Sequence, residues 1–326
     1  MSSLVSSIDA GEEWSGVYER LSESKMTPGP LNALFAPYVK DMAKLDAFLS
    51  EVRLSYNDNP YHSFDHACHV TCSAQCLLNH LDSAVAANFD DLDHLALLFS
   101  AAIHDVDHLG VFNGKLVADG HPYALQFNDQ SVAEMRSLQL GFQFLARPEC
   151  DFLSAQLSRE EMTRFRKTVI DLVLCTDIGG KDRSQLTMLK IKEAFSSDTG
   201  EIAAATATPD GRLASLMLLL KSADVCANMQ RGETGFSWAR KFFMEGWTPV
   251  SKQTKAFDAV YWAKDQGGYL RGYCLKVASM LRASGVVHPS LGAAALANIA
   301  AMADKWDVEG VAITARWAEA AVLERP

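Results

Sequence analysis

DLDHLALLFSAAIHDVDHLG, residues 91–110, decides how the rest of the chain is read. Leu92, Leu95, Ala96, Phe99 and Ile103 fall on one stripe at steps of three and four, the period of an amphipathic helix. Its apolar end then delivers His104, Asp105, Asp107 and His108 within five positions. Burying an unpaired charge costs several kcal/mol even after relaxation. These side chains therefore need water, partners or a metal ion. A helix end breaking the surface would solvate them, whereas a metal site on the floor of a pocket would use them.

The same period runs through MTRFRKTVIDLVLCTDI (162–178), RLASLMLLLKSADVCANM (212–229) and GFSWARKFFMEGW (235–247). Breaks are predicted at NDNP (57–60), DHLGVFNGKLVADGHP (107–122), DIGGKD (177–182), SSDTGE (196–201), TPDG (208–211) and DQGG (265–268). No run of alternating β-branched residues lies between turn signals, and no internal repeat is visible. The expectation is an all-α chain: one compact multi-helix domain over residues 27–326, preceded by a polar, Ser-rich arm over residues 1–26.

The chain has 326 residues and a formal charge of −10, which argues against nucleic acid or an anionic membrane as the main partner. A small anionic substrate held by metal ions stays open, because metals are the largest local charges where they occur. The N-terminal MSSLVSSIDAGEEW has neither the basic nor the apolar region of a secretory signal. No stretch offers the ~18 uninterrupted apolar residues of a spanning helix. Seven cysteines, an odd number, argue against a disulfide framework and for the reducing cytoplasm. Cys68, Cys72 and Cys76, four apart, read as a buried helix stripe rather than a thiolate metal site.

Four separated segments supply metal-ligand chemistry: YHSFDHACHV (61–70), AIHDVDHLG (102–110), NDQSVAE (128–134) and KSADVCAN (221–228). Imidazole and carboxylate together suit zinc, manganese, iron and magnesium. His62 and His66 share a face if their segment is helical, but Ser63 stands where a zinc-protease H-E-x-x-H helix needs its glutamate. An H…HD…D pattern over a helical chain instead suits metal-dependent phosphohydrolases of the HD type. Further along stand Leu174-Cys175-Thr176-Asp177, Ala223-Asp224 and Gln266-Gly267-Gly268-Tyr269. In this order and near these spacings, over residues 61–269, the set resembles the catalytic domain of the class I cyclic nucleotide phosphodiesterases.

The resemblance implies hydrolysis of cAMP or cGMP to the 5'-monophosphate by a hydroxide bridging two metals. By that likeness His66, His104, Asp105 and Asp224 would ligate a tight zinc, and Asp105 would bridge to magnesium or manganese. His108, Glu134 and Thr176 would hold waters of the second ion, and His62 would be the general acid that protonates O3'. Gln266 would bond the purine edge between Phe242 and Tyr269, with Tyr61 beside the substrate. Adenine-selective relatives carry an Asn three residues after the metal aspartate. Ala227 stands there, with Asn228 next, which leans the reading to cGMP or to both nucleotides.

Asp107 is expected to orient or support. His69, His80, His94, His121 and His288 match no role in the family and read as surface or satisfied core histidines, and Trp238 reads as packing. Departures from the family pattern are Ser63 for Asn, Leu109 for Pro, and Met135-Arg136-Ser137 for Asn-His-His, which removes two histidines beside the phosphate site. The glutamate that should orient the general acid has no evident counterpart; Glu309 and Asp304 are the candidates. The stretch between Trp238 and Gln266 reads as a shortened loop over the pocket. The competing readings are another HD-type phosphohydrolase such as a nucleotidase, and a degenerate cyclic-nucleotide-binding regulator. Gln266 with Tyr269 disfavours the first, and the intact ligand set the second.

Overall fold

The run that opened the argument is a helix, Asp91–Ile103, and it is buried on every side rather than along one stripe. Of its residues from Leu92 to Ile103, His94 alone is not buried. The structure, a computed structural model, describes residues 28–195, 202–230, 232–251 and 257–323. The arm expected over residues 1–26 and the break expected at 196–201 lie outside them.

The buried helix is framed before it starts. Asp90 and Asp93 form a reciprocal capping box, and Arg164 clasps Asp90 through both terminal nitrogens at 2.7 and 2.8 Å. Around it pack the helices Phe64–Asn79, Arg159–Cys175 and Pro209–Asp224. Phe99 carries the contact: its ring stacks on Phe48 at 5.1 Å and meets Phe165 edge-on at 5.2 Å. Aromatic pairs at such separations add to the burial of their area. A helix apolar all round belongs at the centre of a bundle. That is the position the site-bearing helices hold.

Among the described residues there is no strand; the one bridge joins Leu81 and Val287. The domain is all-α, as its periodicity predicts. Cys68, Cys72 and Cys76 are free and buried on Phe64–Asn79, packing as small hydrophobes. The break predicted at DQGG does not occur, because the helix Ala259–Tyr269 runs through it. Two glycines cost a helix roughly 1 kcal/mol each. Packing against the long helix Pro289–Leu323 offsets that cost, and Gly267 is buried near Asp307. The irregularity falls one residue later, where Leu270–Cys274 forms a π-turn, a feature frequent at functional sites. TPDG is a helix start, with Thr208 capping Gly211 at 3.0 Å and Pro209 in the first turn.

Candidate active site

Three central helices deliver the metal-type ligands. His66 sits in the first turn of Phe64–Asn79, His104 caps the C-terminus of Asp91–Ile103, and Asp224 ends Pro209–Asp224. Two helix C-termini thus face the same point, and their dipoles favour a cation there. His66 Nε2 lies 3.2 Å from Asp224 Oδ1 and 3.7 Å from Asp105 Oδ2. His104 Nε2 lies 3.2 Å from Asp105 Oδ2 and 3.5 Å from Asp224 Oδ1. All four residues expected to ligate one ion are together.

His104 tests whether a metal fits. Its Nδ1 donates to the carbonyl of Ala101 at 2.9 Å, which fixes the tautomer and leaves Nε2 as the free nitrogen. That Nε2 is buried and makes no hydrogen bond, although two carboxylates stand within 3.5 Å. An orphaned buried nitrogen is costly unless something accepts its lone pair, and a divalent cation does so. Burial works to raise the pKa of Asp105 and Asp224, but the electrostatic influence of neighbouring histidines, His104 foremost, holds both below the usual carboxylate range. The donor set fits a metal.

A second group, His62, His108 and Glu245, brings its ligand-type atoms within 4.8 Å of one another, as do His66, His104 and Asp105. In the second group the nitrogen is already engaged, since His62 Nδ1 donates to Glu245 Oε1 at 2.5 Å. The imidazoles of His62 and His108 stack at 3.8 Å and 24°, so their lone pairs run nearly parallel instead of converging. This geometry holds an acid more readily than an ion. The other oxygen of Glu245 accepts the backbone N–H groups of Tyr61 and His62 at 3.0 and 2.9 Å. Burial presses the pKa of His62 down, yet the Glu245 hydrogen bond and the surrounding carboxylates leave it raised.

Glu245 corrects the sequence reading, which sought the orienting carboxylate at Glu309 or Asp304. Those residues lie on Pro289–Leu323, where Asp304 pairs with Arg271 at 2.9 Å and Glu309 is exposed. Glu245 was within reach of the periodicity. It follows Trp238 by seven residues and Phe242 by three on one helix, Gly232–Ser251, so all three share a face.

The loop 104–110 is held from outside. Asp107, in the left-handed region at φ 63°, accepts from Tyr123 Oη at 3.0 Å, Arg136 Nε at 2.9 Å and Asn57 Nδ2 at 3.2 Å. It is a support, as expected. Arg136, one of the departures, is spent on that contact, and Ser137 bonds the carbonyl of Val106 at 2.9 Å. Asn59 Nδ2 joins the carbonyls of His62 and His108, at 3.1 and 2.7 Å. Gly110, at φ 67°, lets the chain pass Glu245; a Cβ there would lie 3.3 Å from Glu245 Cγ. His108 Nδ1 accepts the N–H of Gly110 at 3.1 Å. Burial, with the charge of His62, pushes the His108 pKa to about 3, so the ring is neutral with its proton on Nε2.

Glu134 enters through strain. Asn128, Asp129 and Ser131 all have positive φ, which turns the chain into the helix Val132–Leu145. Asn113 then bonds Ala133 N at 2.9 Å and Glu134 Oε2 at 2.8 Å. Burial, reinforced by Asp177, pushes the Glu134 carboxyl up to about 7. Thr176 spends its hydroxyl proton on the carbonyl of Val173 at 2.8 Å, leaving its oxygen as an acceptor.

One cavity of about 560 Å³ collects Tyr61, His62, His104, Asp105, His108, Glu134, Thr176, Asp224, Phe242, Gln266 and Tyr269. Of the expected site residues, His66 alone does not line it; it sits one layer deeper, with Tyr61 over its ring at 4.8 Å. Asn228, rather than Ala227, reaches the cavity wall, and its Nδ2 lies 3.7 Å from Cys274 Sγ. Trp238 also lines the wall. Its inner face stacks on His69 at 5.1 Å, and His69 meets Gln230 at 2.9 Å. His80, His94, His121 and His288 likewise make local hydrogen bonds away from the cavity. The stretch from Trp238 to Gln266, expected as a shortened loop, is helical over 238–251 and 259–266, and residues 252–256 lie outside the described ones.

Histidines and aspartates converging from three buried helices, with a carboxylate-backed histidine across the same cavity, define a metal-dependent phosphohydrolase site on an all-α scaffold. The chain belongs to the 3'5'-cyclic nucleotide phosphodiesterase family, whose model matches residues 61–260. It is 32% identical over 220 residues to a probable 3',5'-cyclic-AMP phosphodiesterase of Caenorhabditis elegans, covering 68% of this chain and 32% of that protein. It is 42% identical over 135 residues to the 3',5'-cyclic-AMP phosphodiesterase 4C of Mus musculus, covering 41% of this chain and 19% of that one. The match thus spans a third or less of these curated relatives. The fold is that of the phosphodiesterase domain of the rhodopsin phosphodiesterase of Salpingoeca rosetta, with a TM-score of 0.75 at 24% identity over 93% of this chain and 95% of that one. No helix among the described residues is long and apolar enough to cross a membrane.

Proposed function

We propose that this domain hydrolyses 3',5'-cyclic purine nucleotides to 5'-monophosphates, with residues 27–326 as the catalytic unit. The observation that carries the reading is the pairing of two features in one cavity: the orphaned His104 Nε2 facing Asp105 and Asp224, and His62 held by Glu245. His66, His104, Asp105 and Asp224 would hold the tighter ion, for which imidazole and carboxylate ligands suit zinc. Asp105 would also help hold a second ion, magnesium or manganese. When bound, the ions supply Lewis acidity and an activated water. His108, Glu134 and Thr176 orient water beside them through one donor and two acceptors. As the P–O3' bond breaks, His62 passes its Nε2 proton to O3', while Glu245 keeps the imidazole upright and stabilises its charged form. A new P–O bond forms to water's oxygen, the proton that this water gives up is released to solvent, and His62 regains a proton from solvent before the next turnover.

Tyr61, Phe242 and Tyr269 would enclose the base, with Gln266 on its polar edge. A glutamine amide serves adenine or guanine by its flip, so a second amide decides. We assign that role to Asn228, which lines the wall one position later than the family's Asn. This, with the cyclic-AMP names of the relatives, favours cAMP over the cGMP lean drawn from Ala227. Seven free, buried cysteines suit the cytoplasm.

The test is hydrolysis of cAMP, cGMP and 5'-AMP by purified protein with Mg²⁺ or Mn²⁺, and again with chelator. Metal-dependent release of 5'-AMP from cAMP is expected. Release of phosphate from 5'-AMP in its place would make the protein a nucleotidase. Binding of cyclic nucleotide without turnover would make it a regulator.

A further inference from the structure

Among the described residues Lys221 is the one buried lysine or arginine. It lies in the Leu-rich helix Pro209–Asp224, one turn before Asp224, and is fully buried. A buried ammonium normally has a carboxylate partner. Among the described residues Lys221 has none. Its one hydrogen bond goes from Nζ to Tyr273 Oη at 3.0 Å, with the ammonium 5.4 Å from that ring's centre.

Tyr273 leads to the cavity. It lies in the π-turn Leu270–Cys274, and its ring stacks on Tyr269 at 5.9 Å and 17°. Tyr269 lines the cavity that also holds the ligand cluster. The π-turn lets the helix change register directly after Tyr269, so regular helix geometry does not set the tilt of these rings. Polar contacts reach the turn from three sides: Lys221 on Tyr273, Asn228 on Cys274, and Asp304 with Asp307 on Arg271; of these, Lys221 is the one that touches the ring stacked on Tyr269.

We propose that Lys221 is a positioning residue for the base-binding wall: through Tyr273 it fixes the ring of Tyr269 against which the purine lies. This rests on the reading of the cavity given above. The lysine touches neither substrate nor metal. Its removal acts on binding of the base and leaves the chemistry at His62 and the ligand cluster alone. The hydrogen bond from buried Lys221 ties the π-turn to the central helix Pro209–Asp224.

The variants are Lys221→Met, which keeps the aliphatic stem and removes the donor, Lys221→Arg, which restores a cation, and Tyr273→Phe, which removes only the acceptor oxygen. For the preferred nucleotide, Lys221→Met should raise KM roughly 5- to 10-fold, the effect of one lost hydrogen bond, with kcat within about twofold. Tyr273→Phe should match it, and the double variant should be no worse than either single one, since both cut one link. Lys221→Arg should recover part of KM. A fluorotyrosine placed at position 269 gives a readout without substrate: its ¹⁹F resonance should shift alike in Lys221→Met and Tyr273→Phe. If the parent hydrolyses no cyclic nucleotide, the proposed function fails while this resonance still decides the link. An unchanged KM and resonance in folded Tyr273→Phe protein would overturn the inference, as would a loss confined to kcat.

Discussion

Replacing Glu245 by Gln tests the acid assembly at its least visible member. The carboxylate accepts three donors, His62 Nδ1, His62 N and Tyr61 N. An amide of the same shape keeps one oxygen for them, turns an N–H toward the rest, and removes the charge. Burial alone lowers the pKa of His62; Glu245, Asp105 and Asp224 raise it. With metal bound, Asp105 and Asp224 have their charge neutralised, so Glu245 becomes the main group opposing burial. A hydrogen bond to a charged group is worth about 1.5–3 kcal/mol, or roughly one to two pKa units at 1.36 kcal/mol each. The protonated imidazole is the active form, so activity persists below its pKa and is lost as pH rises through it. Glu245→Gln should therefore move the alkaline limb of kcat down by about one to two units. On the alkaline side of both limbs kcat should fall roughly 10- to 100-fold, with the two enzymes converging toward acid pH. The assay is a full pH profile of kcat at saturating nucleotide, with metal content measured at each end. An unmoved alkaline limb, with kcat reduced equally at every pH, would refute the role given to Glu245.

Removing the acid itself, His62→Ala, should cost about 10²- to 10⁴-fold in kcat, with KM little changed; a phosphodiester with a far better leaving group than O3' should be largely spared, and equal loss on both substrates would contradict the assignment. Asp105→Ala should lose both ions by elemental analysis, because its carboxylate is shared, while Glu134→Ala should weaken mainly the second; an Asp105→Ala protein with the parent's zinc and magnesium would break the ligand set. Gly110→Ala puts a Cβ at positive φ, 3.2 Å from Asn59 Oδ1 and 3.3 Å from Glu245 Cγ. It should lower stability by about 1–2 kcal/mol in denaturant melts and reduce kcat by displacing Glu245, and a variant as stable and active as the parent would show that the close passage there is not needed.

Much of this protein is legible along its chain, for reasons of local chemistry. The period of three and four in residues 91–103 specifies a helix, because side-chain spacing on a helix is a property of the backbone. His104 and Asp105 stand out because charged groups at the end of an apolar run need partners, and His62, His66 and Asp224 join them through the motif order that resembles the phosphodiesterase family. Asp107 could be read as a support, and the five other histidines as satisfied bystanders, since the five match no role in the family that the motifs resemble.

What the sequence could not supply is which faces meet. Periodicity places Leu92 and Phe99 on one stripe but cannot say that the helix is enclosed on every side, since that depends on how the Phe64–Asn79, Arg159–Cys175 and Pro209–Asp224 helices pack. DQGG reads as a break by propensity, and only the long Pro289–Leu323 helix beside it supplies the contacts that outweigh the glycines. Glu245 lies 183 residues from the histidine it holds. Helical spacing puts it on the face of Trp238 and Phe242, but nothing local says which loop that face meets. Asn228 and Ala227 differ by one position in a short helical turn, and the fold alone decides which of them reaches the cavity. Sequence determines what each segment is and what chemistry it carries; pairing across long chain separations is a sum of burial and close packing over the whole core, and it exists only once the helices have docked.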